Sequence, residues 1–146
     1  MMKMVMNIKG QRGGSAVEFA IVLPILVVLI FGIIEFSILF YDKAVITNAS
    51  REGARAGIVF APTGSRLDET EIKAVVNSYC ANNLITFGSA TSVDTNVDPE
   101  DLNSGSPGDP LTVTVDYSYD FLVLPNFVTA LTGPIDLQAV TVMRME

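Results

Sequence analysis

The sequence contains no histidine and no tryptophan, and Cys80 is its single cysteine. Without histidine the chain lacks the commonest general base and metal ligand, which excludes Ser-His-Asp and Cys-His catalytic sites. A single cysteine excludes an intramolecular disulfide. We expect it to be a small buried apolar residue, with an intermolecular bridge as the alternative. No glycine-rich phosphate loop or pair of CxxC motifs is present. The sequence therefore predicts a protein that is not an enzyme and has no cofactor.

Basic residues are scarce and unevenly placed. The chain has 9 Lys and Arg against 16 Asp and Glu, a formal net charge of −7. The N-terminal leader carries Lys3, Lys9 and Arg12 and no acid, whereas the part after Ala56 is strongly acidic. The positive-inside rule places such a leader in the cytoplasm and the acidic part across the membrane. The acidic part also argues against nucleic acid, which requires clustered Lys and Arg.

The apolar residues are concentrated in one block, Phe19 to Tyr41, which Glu35 alone interrupts. A helix of this length, at ~1.5 Å per residue, crosses a hydrocarbon core ~30 Å thick. A secretory signal peptide would have a shorter apolar region followed by a small-residue cleavage site. The block therefore predicts a transmembrane helix. We expect Glu35 near the outer headgroups, where a carboxylate costs little.

Glu18 stands just before this block, where a carboxylate inside the hydrocarbon would cost roughly 2.5–3.5 kcal/mol. One interpretation is that Glu18 marks the cytoplasmic edge of the span. A more specific one comes from its neighbours, since Gly13 lies five residues earlier and Phe19 follows directly. A basic leader followed by Gly-x-x-x-x-Glu-Phe resembles the processing site of type IV prepilins. With Ala16–Pro24 and Asn48–Gly57, it resembles the TadE-like pilin-like proteins of the Tad (Flp) type IVb pilus system.

The resemblance implies that a prepilin peptidase cuts between Gly13 and Gly14 and frees an amine on Gly14. Glu18 would then be the fifth residue of the mature protein, or the fourth if the cut follows Gly14. The free amine of an adjacent subunit would compensate the Glu18 carboxylate and set the axial register of the packed helices. The implied partners are the peptidase, other pilin-like subunits and the inner-membrane assembly platform.

The predicted helix continues past the membrane. Residues 1–13 form the leader that is removed, 14–60 the span and its periplasmic extension, and 61–146 a small acidic domain. A helix of ~45 residues is ~68 Å long, so its outer half must project beyond the bilayer. Pro24 removes a backbone hydrogen bond inside it and predicts a kink.

Small residues form a stripe on the outer half of this helix. The stripe comprises Ala49, Ser50, Gly53, Ala54 and Gly57. Such a stripe lets another backbone approach closely, and the approaching element is either this chain's own domain or a neighbouring subunit. Arg51 and Arg55, spaced i and i+4, form either a solvated basic face or one that binds lipid phosphate or acidic partner patches.

The C-terminal part predicts an α+β, pilin-like domain. Leu67 to Asn83 is a helix with Asp68 as its N-cap. A short strand is expected within residues 84–87 or 92–93, then a loop from Asp94 to Pro110. Leu111 to Phe121 alternates as a strand, residues 126–131 form a helical turn, and Ile135 to Met145 is a last antiparallel strand.

The acidic loop offers a weak candidate for calcium, since Asp94-x-Asn96-x-Asp98 begins like an EF-hand. However, position six is Pro99 instead of glycine and position twelve is Gly105 instead of glutamate. The EF-hand interpretation therefore fails and leaves a looser site or a solvated loop.

The sequence thus predicts a minor pilin or pseudopilin in the bacterial inner membrane, with its C-terminal domain in the periplasm and incorporation into an extracellular pilus as a further step. One alternative is an uncleaved single-span protein whose periplasmic domain binds a ligand or calcium. The other is a pseudopilin of a type II secretion system.

Overall fold

The computed structural model describes residues 9–60, 64–86, 92–123 and 133–146. Its elements are helices α1 (Lys9–Ile58) and α2 (Glu69–Asn83) and strands β1 (Val93–Asp98), β2 (Pro110–Tyr119) and β3 (Ile135–Arg144). One long apolar helix, one short helix and a three-stranded antiparallel sheet confirm the predicted α+β class.

Helix α1 has 50 residues and continues through Pro24. It begins at Lys9, earlier than the predicted start at Gly14, so the glycine pair lies within the helix. The kink predicted at Pro24 stays a prediction. A helix of this length extends for about 75 Å, which is more than twice the thickness of a hydrocarbon core.

Helix α2 has the N-terminus that its sequence predicts. The Asp68 side chain accepts a hydrogen bond from the backbone N–H of Glu71, and the Glu71 side chain accepts one from the backbone N–H of Asp68. This reciprocal capping box satisfies donors that the first helical turn otherwise leaves free. The buried face of α2 comprises Ile72, Val76 and Cys80.

The sheet has the order β1-β2-β3, with β2 in the centre. Its alternating residues Leu111, Val113, Val115, Tyr117 and Tyr119 are buried, which confirms the predicted strand. The register sets Val115 opposite Ala139 of β3, and β3 is antiparallel to β2 as expected. One face of the sheet therefore packs on the helices and the other faces solvent.

The position of β1 corrects the sequence analysis, which assigned Asp94 and the residues after it to a loop. Val93–Asp98 pairs with β2 along its whole length. Its polar composition is typical of a turn, but Val97 and Thr95 point to the core and the pairing with β2 outweighs local propensity. Residues 84–86 are not a strand, and the helical turn expected at 126–131 lies outside the described residues.

The core lies between the outer half of α1 and the rest of the domain. Ile46, Ala49 and Ala54 of α1 are fully buried against α2 and the sheet. At the far end, the Arg66 guanidinium donates hydrogen bonds to the carbonyls of Leu102 and Gly105, at 3.0 Å each. The outer half of α1 is therefore a structural element of the domain's core and more than a stalk.

Candidate assembly helix and its junction with the domain

The inner half of α1 has no cover from the rest of the described chain. From residue 13 to residue 34 no side chain is buried, although most are large and apolar. The helix is long and apolar enough to cross a membrane, with a mean hydropathy of 2.9 over its most apolar window. In water such a surface would be strongly unfavourable, so it requires lipid or other helices around it.

The predicted processing and register residues lie on this uncovered half. At Gly13 and Gly14 an added Cβ would meet no atom within 4 Å. Glu18 and Phe19 are exposed as well. The structure brings these residues together with no other element of the described chain, so any partner of Glu18 comes from outside it or from its own helix.

Glu35 marks the place where the domain begins to contact α1. Its side chain is only 2% exposed. The carboxylate accepts hydrogen bonds from the Tyr119 hydroxyl at 2.6 Å and from the backbone N–H groups of Leu122 and Val123 at 2.8 Å each. The expectation of a carboxylate near the outer headgroups at little cost was incomplete, because the protein itself surrounds this group. Glu35 fastens the end of β2 to the helix.

Tyr119 is held as a hydrogen-bond donor at this junction. Burial, and secondly the hydrogen bond to Glu35, raise the pKa of the Tyr119 phenol far above its usual value. The phenol therefore keeps its proton at any physiological pH. Because hydrogen bonds to charged groups are stronger than neutral ones, the pair contributes more than an ordinary surface contact.

A second carboxylate, Asp42, lies seven residues after Glu35 and thus two helical turns along the same face. It is fully buried. Its Oδ1 atom accepts a hydrogen bond from the backbone N–H of Ile85, at 3.1 Å, just beyond the end of α2. Two acids of α1 therefore hold the chain where β2 and α2 end. Sequence reasoning missed the role of both, since their partners are distant in sequence.

The small-residue stripe packs against this chain's own domain. A Cβ at Gly53 would lie 2.6 Å from Val76 Cγ2, and one at Gly57 would lie 2.6 Å from Ile72 Cδ1. Ala54 is completely buried. Of the two partners considered for this stripe, the structure places the domain there. Arg51 and Arg55 lie exposed on another face.

The calcium candidates occupy a different setting from the one expected. Asp94, Asn96 and Asp98 lie on the solvent face of strand β1, where each alternates with an inward residue. The prediction that these residues lie in a loop, on which the calcium hypothesis depended, is therefore wrong. Within the described ranges, no group of three or more His, Cys, Asp or Glu side chains is arranged to hold a metal ion.

Cys80 lies in the core, where α2 faces the sheet. Burial raises the pKa of its thiol to about 11. The thiolate, which is the reactive form, is therefore scarce near neutral pH.

The architecture is a long apolar helix, uncovered in its inner half, that carries a small α+β domain on its outer half. The family model described as TadE-like protein matches residues 13–55, from the first glycine of the pair to Arg55. The resemblance seen in the sequence is thereby confirmed for this segment, which is less than half of the chain. No curated protein and no solved structure matches the chain.

Proposed function

We propose that this chain is a minor pilin or pseudopilin of a Tad (Flp) pilus, a structural subunit that is packed into an assembly through the inner half of α1. The observation that carries this proposal is the coincidence of two features. The family match covers residues 13–55, and within that stretch the apolar residues up to Ile34 have no cover from the chain's own domain.

In this proposal the chain enters the inner membrane with its basic leader in the cytoplasm and its domain in the periplasm. A prepilin peptidase then cuts between Gly13 and Gly14. The basic leader and the exposure of both glycines support this position. The cut leaves Gly14 with a free, positively charged amine.

Glu18 supplies the register of assembly. In lipid an exposed carboxylate is costly unless an opposite charge compensates it. The Gly14 amine of an adjacent subunit is such a charge. Its pairing with Glu18 favours one axial stagger between two apolar helices that could otherwise pack in several registers. Glu35 cannot serve as well, since the chain's own Tyr119 and backbone already surround it.

Intact-mass measurement on the protein from native membranes tests the processing step. The chain is expressed with and without its cognate prepilin peptidase. We expect the mass of residues 1–13 to be lost only when the peptidase is present. An unprocessed chain in both samples would contradict the pilin function and favour an uncleaved single-span protein with a periplasmic binding domain.

Two variants resolve which glycine precedes the cut. Gly13→Val places a branched side chain directly before the proposed scissile bond, and Gly14→Val places the same side chain directly after it. We expect Gly13→Val to abolish processing. Loss of processing in Gly14→Val alone, with normal processing of Gly13→Val, would move the cut to the far side of Gly14 and make Glu18 the fourth residue.

A further inference from the structure

The position of Glu35 fixes how deep the domain reaches toward the membrane. Glu35 belongs to the apolar helix, and its carboxylate is hydrogen-bonded to the backbone of Leu122 and Val123. These two residues therefore lie at the same depth along α1 as Glu35. Phe121, Leu122 and Val123, here called the tip, are all partly exposed.

The outer boundary of the hydrocarbon core falls close to Glu35 for either placement of the helix. A core ~30 Å thick takes about 20 residues. If the core begins at Gly14, just after the last basic residue, it ends near Ile34. If it ends at Tyr41, the last residue of the apolar block, it begins near Val22. Glu35 then lies within ~10 Å of the boundary in both cases.

On the face of α1 away from the domain, exposed aromatic side chains follow directly after Glu35. Phe36 is 60% exposed and Phe40 is 67% exposed, and their rings lie 6.5 Å apart. Tyr41 follows and is also exposed, as is typical of a residue at a membrane–water interface. Aromatic rings in this position, next to the exposed apolar residues up to Ile34, are typical of the membrane–water interface, so we place the outer edge of the bilayer at this level of α1.

We propose that the tip of the domain is a lipid-contacting surface that is seated in the outer edge of the bilayer, so that the domain rests on the membrane instead of standing off on a stalk. The internal hydrogen bonds of Glu35 lower the cost of this placement, because polar groups near lipid are most expensive when they are unsatisfied. The exposed carboxylate of Asp120 beside the tip limits the depth to the headgroup region. This inference rests on the membrane insertion of α1 in the proposed function.

Depth-dependent fluorescence quenching tests the proposal on the full chain in phosphatidylcholine vesicles. One cysteine carrying a nitrobenzoxadiazole probe is added at a time, at Leu122→Cys, at Val28→Cys in the middle of the apolar block, or at Val142→Cys. Val142 is an exposed apolar residue at the distal end of the sheet, which makes it a matched control. The parent chain gives the background from the buried Cys80.

We expect the Leu122 probe to lose fluorescence mainly with lipids that carry a spin label in the headgroup or at the top of the acyl chain. The Val28 probe should lose it mainly with a label near the chain end, and the Val142 probe with neither. A Leu122 probe that no lipid quenches, beside a normally quenched Val28 probe, would overturn the tip proposal and leave insertion intact. An unquenched Val28 probe would overturn insertion and, with it, both proposals.

A further probe position tests the proposal without a substitution in the tip itself. Asp136→Cys lies exposed on β3 opposite Ser118, at the same end of the sheet as the tip, so its label does not enter the core. We expect headgroup quenching there, stronger than at Val142. Equal quenching at the two positions would contradict the proposal. A Leu122 probe that is shielded from lipid quenchers, and becomes exposed when the protein is diluted in the bilayer, would assign the tip to a second copy of the chain and also overturn it.

Discussion

The two halves of α1 are built from one continuous helix but have opposite surroundings. Up to Ile34 its large apolar side chains are exposed, whereas after Glu35 one face is buried beneath α2 and the sheet. Each half contains a carboxylate near its start, and the exposure of the two carboxylates differs as the exposure of the two halves does. Glu18 is exposed, and Glu35 is enclosed by Tyr119 and two backbone N–H groups.

In the proposed function, the two acids of this apolar helix have unrelated roles. An enclosed carboxylate stabilises the fold, because its hydrogen-bond partners are fixed within the same chain. An exposed carboxylate in an apolar surface has no such partner from the domain and therefore favours association with a molecule that supplies one. Changes at the two positions should consequently affect different properties, stability at Glu35 and assembly at Glu18.

The largest expected effect on stability comes from Glu35→Ala. The change leaves the Tyr119 hydroxyl and two backbone N–H groups without their acceptor, and each buried donor left unsatisfied costs about 1–3 kcal/mol. Urea unfolding in detergent, followed by circular dichroism, measures the loss. Glu52→Ala, an exposed glutamate of the same helix, is the control. Equal stabilities for the two variants would refute the role of Glu35 as the fastening point.

Tyr119→Phe removes one donor from the same junction and keeps the ring. A hydrogen bond to a charged group contributes about 1.5–3 kcal/mol, so we expect a loss in this range. Tyr117→Phe is the matched control, since Tyr117 lies on the same strand and face but its hydroxyl is not bonded to Glu35. If both tyrosine variants unfold at the same urea concentration, the phenol does not fasten the domain.

A β-branched side chain should distinguish the covered half of α1 from the uncovered half. Gly53→Val forces a Cβ to within 2.6 Å of Val76 Cγ2, and overpacking of this kind costs about 1–3 kcal/mol. Gly32→Val, where an added Cβ meets no atom within 4 Å, should leave the domain's unfolding free energy unchanged. Destabilisation of the domain by Gly32→Val would contradict the division of the helix into two halves.

The smallest expected effect is a loss of unfolding free energy at alkaline pH, which the buried Cys80 thiol causes. The folded state raises the pKa of the Cys80 thiol from 9.0 to about 11, so it keeps a proton that the unfolded chain has lost. This part of the stability is complete below pH 9 and is lost as the pH rises toward 11. Urea midpoints measured from pH 8 to pH 11 should fall in the parent chain and fall less in Cys80→Ala. Parallel curves would refute the burial of the thiol.

The sequence predicted those parts of the fold that local patterns determine. The N-cap at Asp68 depends on the first turn of its own helix, and the alternation of β2 requires only its own side chains. The partner of Glu35, in contrast, is separated from it by 84 residues, and no local pattern connects them. The continuation of β1 from Asp94 to Asp98 was assigned to a loop for a related reason, because its turn-like composition is overridden by pairing with β2.

The candidate site shows the same contrast. Gly13, Glu18 and Phe19 were predicted because their spacing follows a family pattern; the family match spans them, and their roles stay predictions. The small-residue stripe was recognised from its spacing, but periodicity could not decide what packs on it. Gly53 and Gly57 approach Val76 and Ile72 only after α2 has folded against α1.

The most direct test of the account is the fraction of Glu18→Ala subunit that is recovered in sheared pili, relative to the fraction that stays in the membrane. We expect Glu18→Ala to insert normally and to leave the unfolding free energy of the domain unchanged. Its recovery in the pili should fall markedly. Recovery equal to that of the parent chain would contradict the role of Glu18 in assembly. The uncovered half of α1 would then pack without a charge that sets its register.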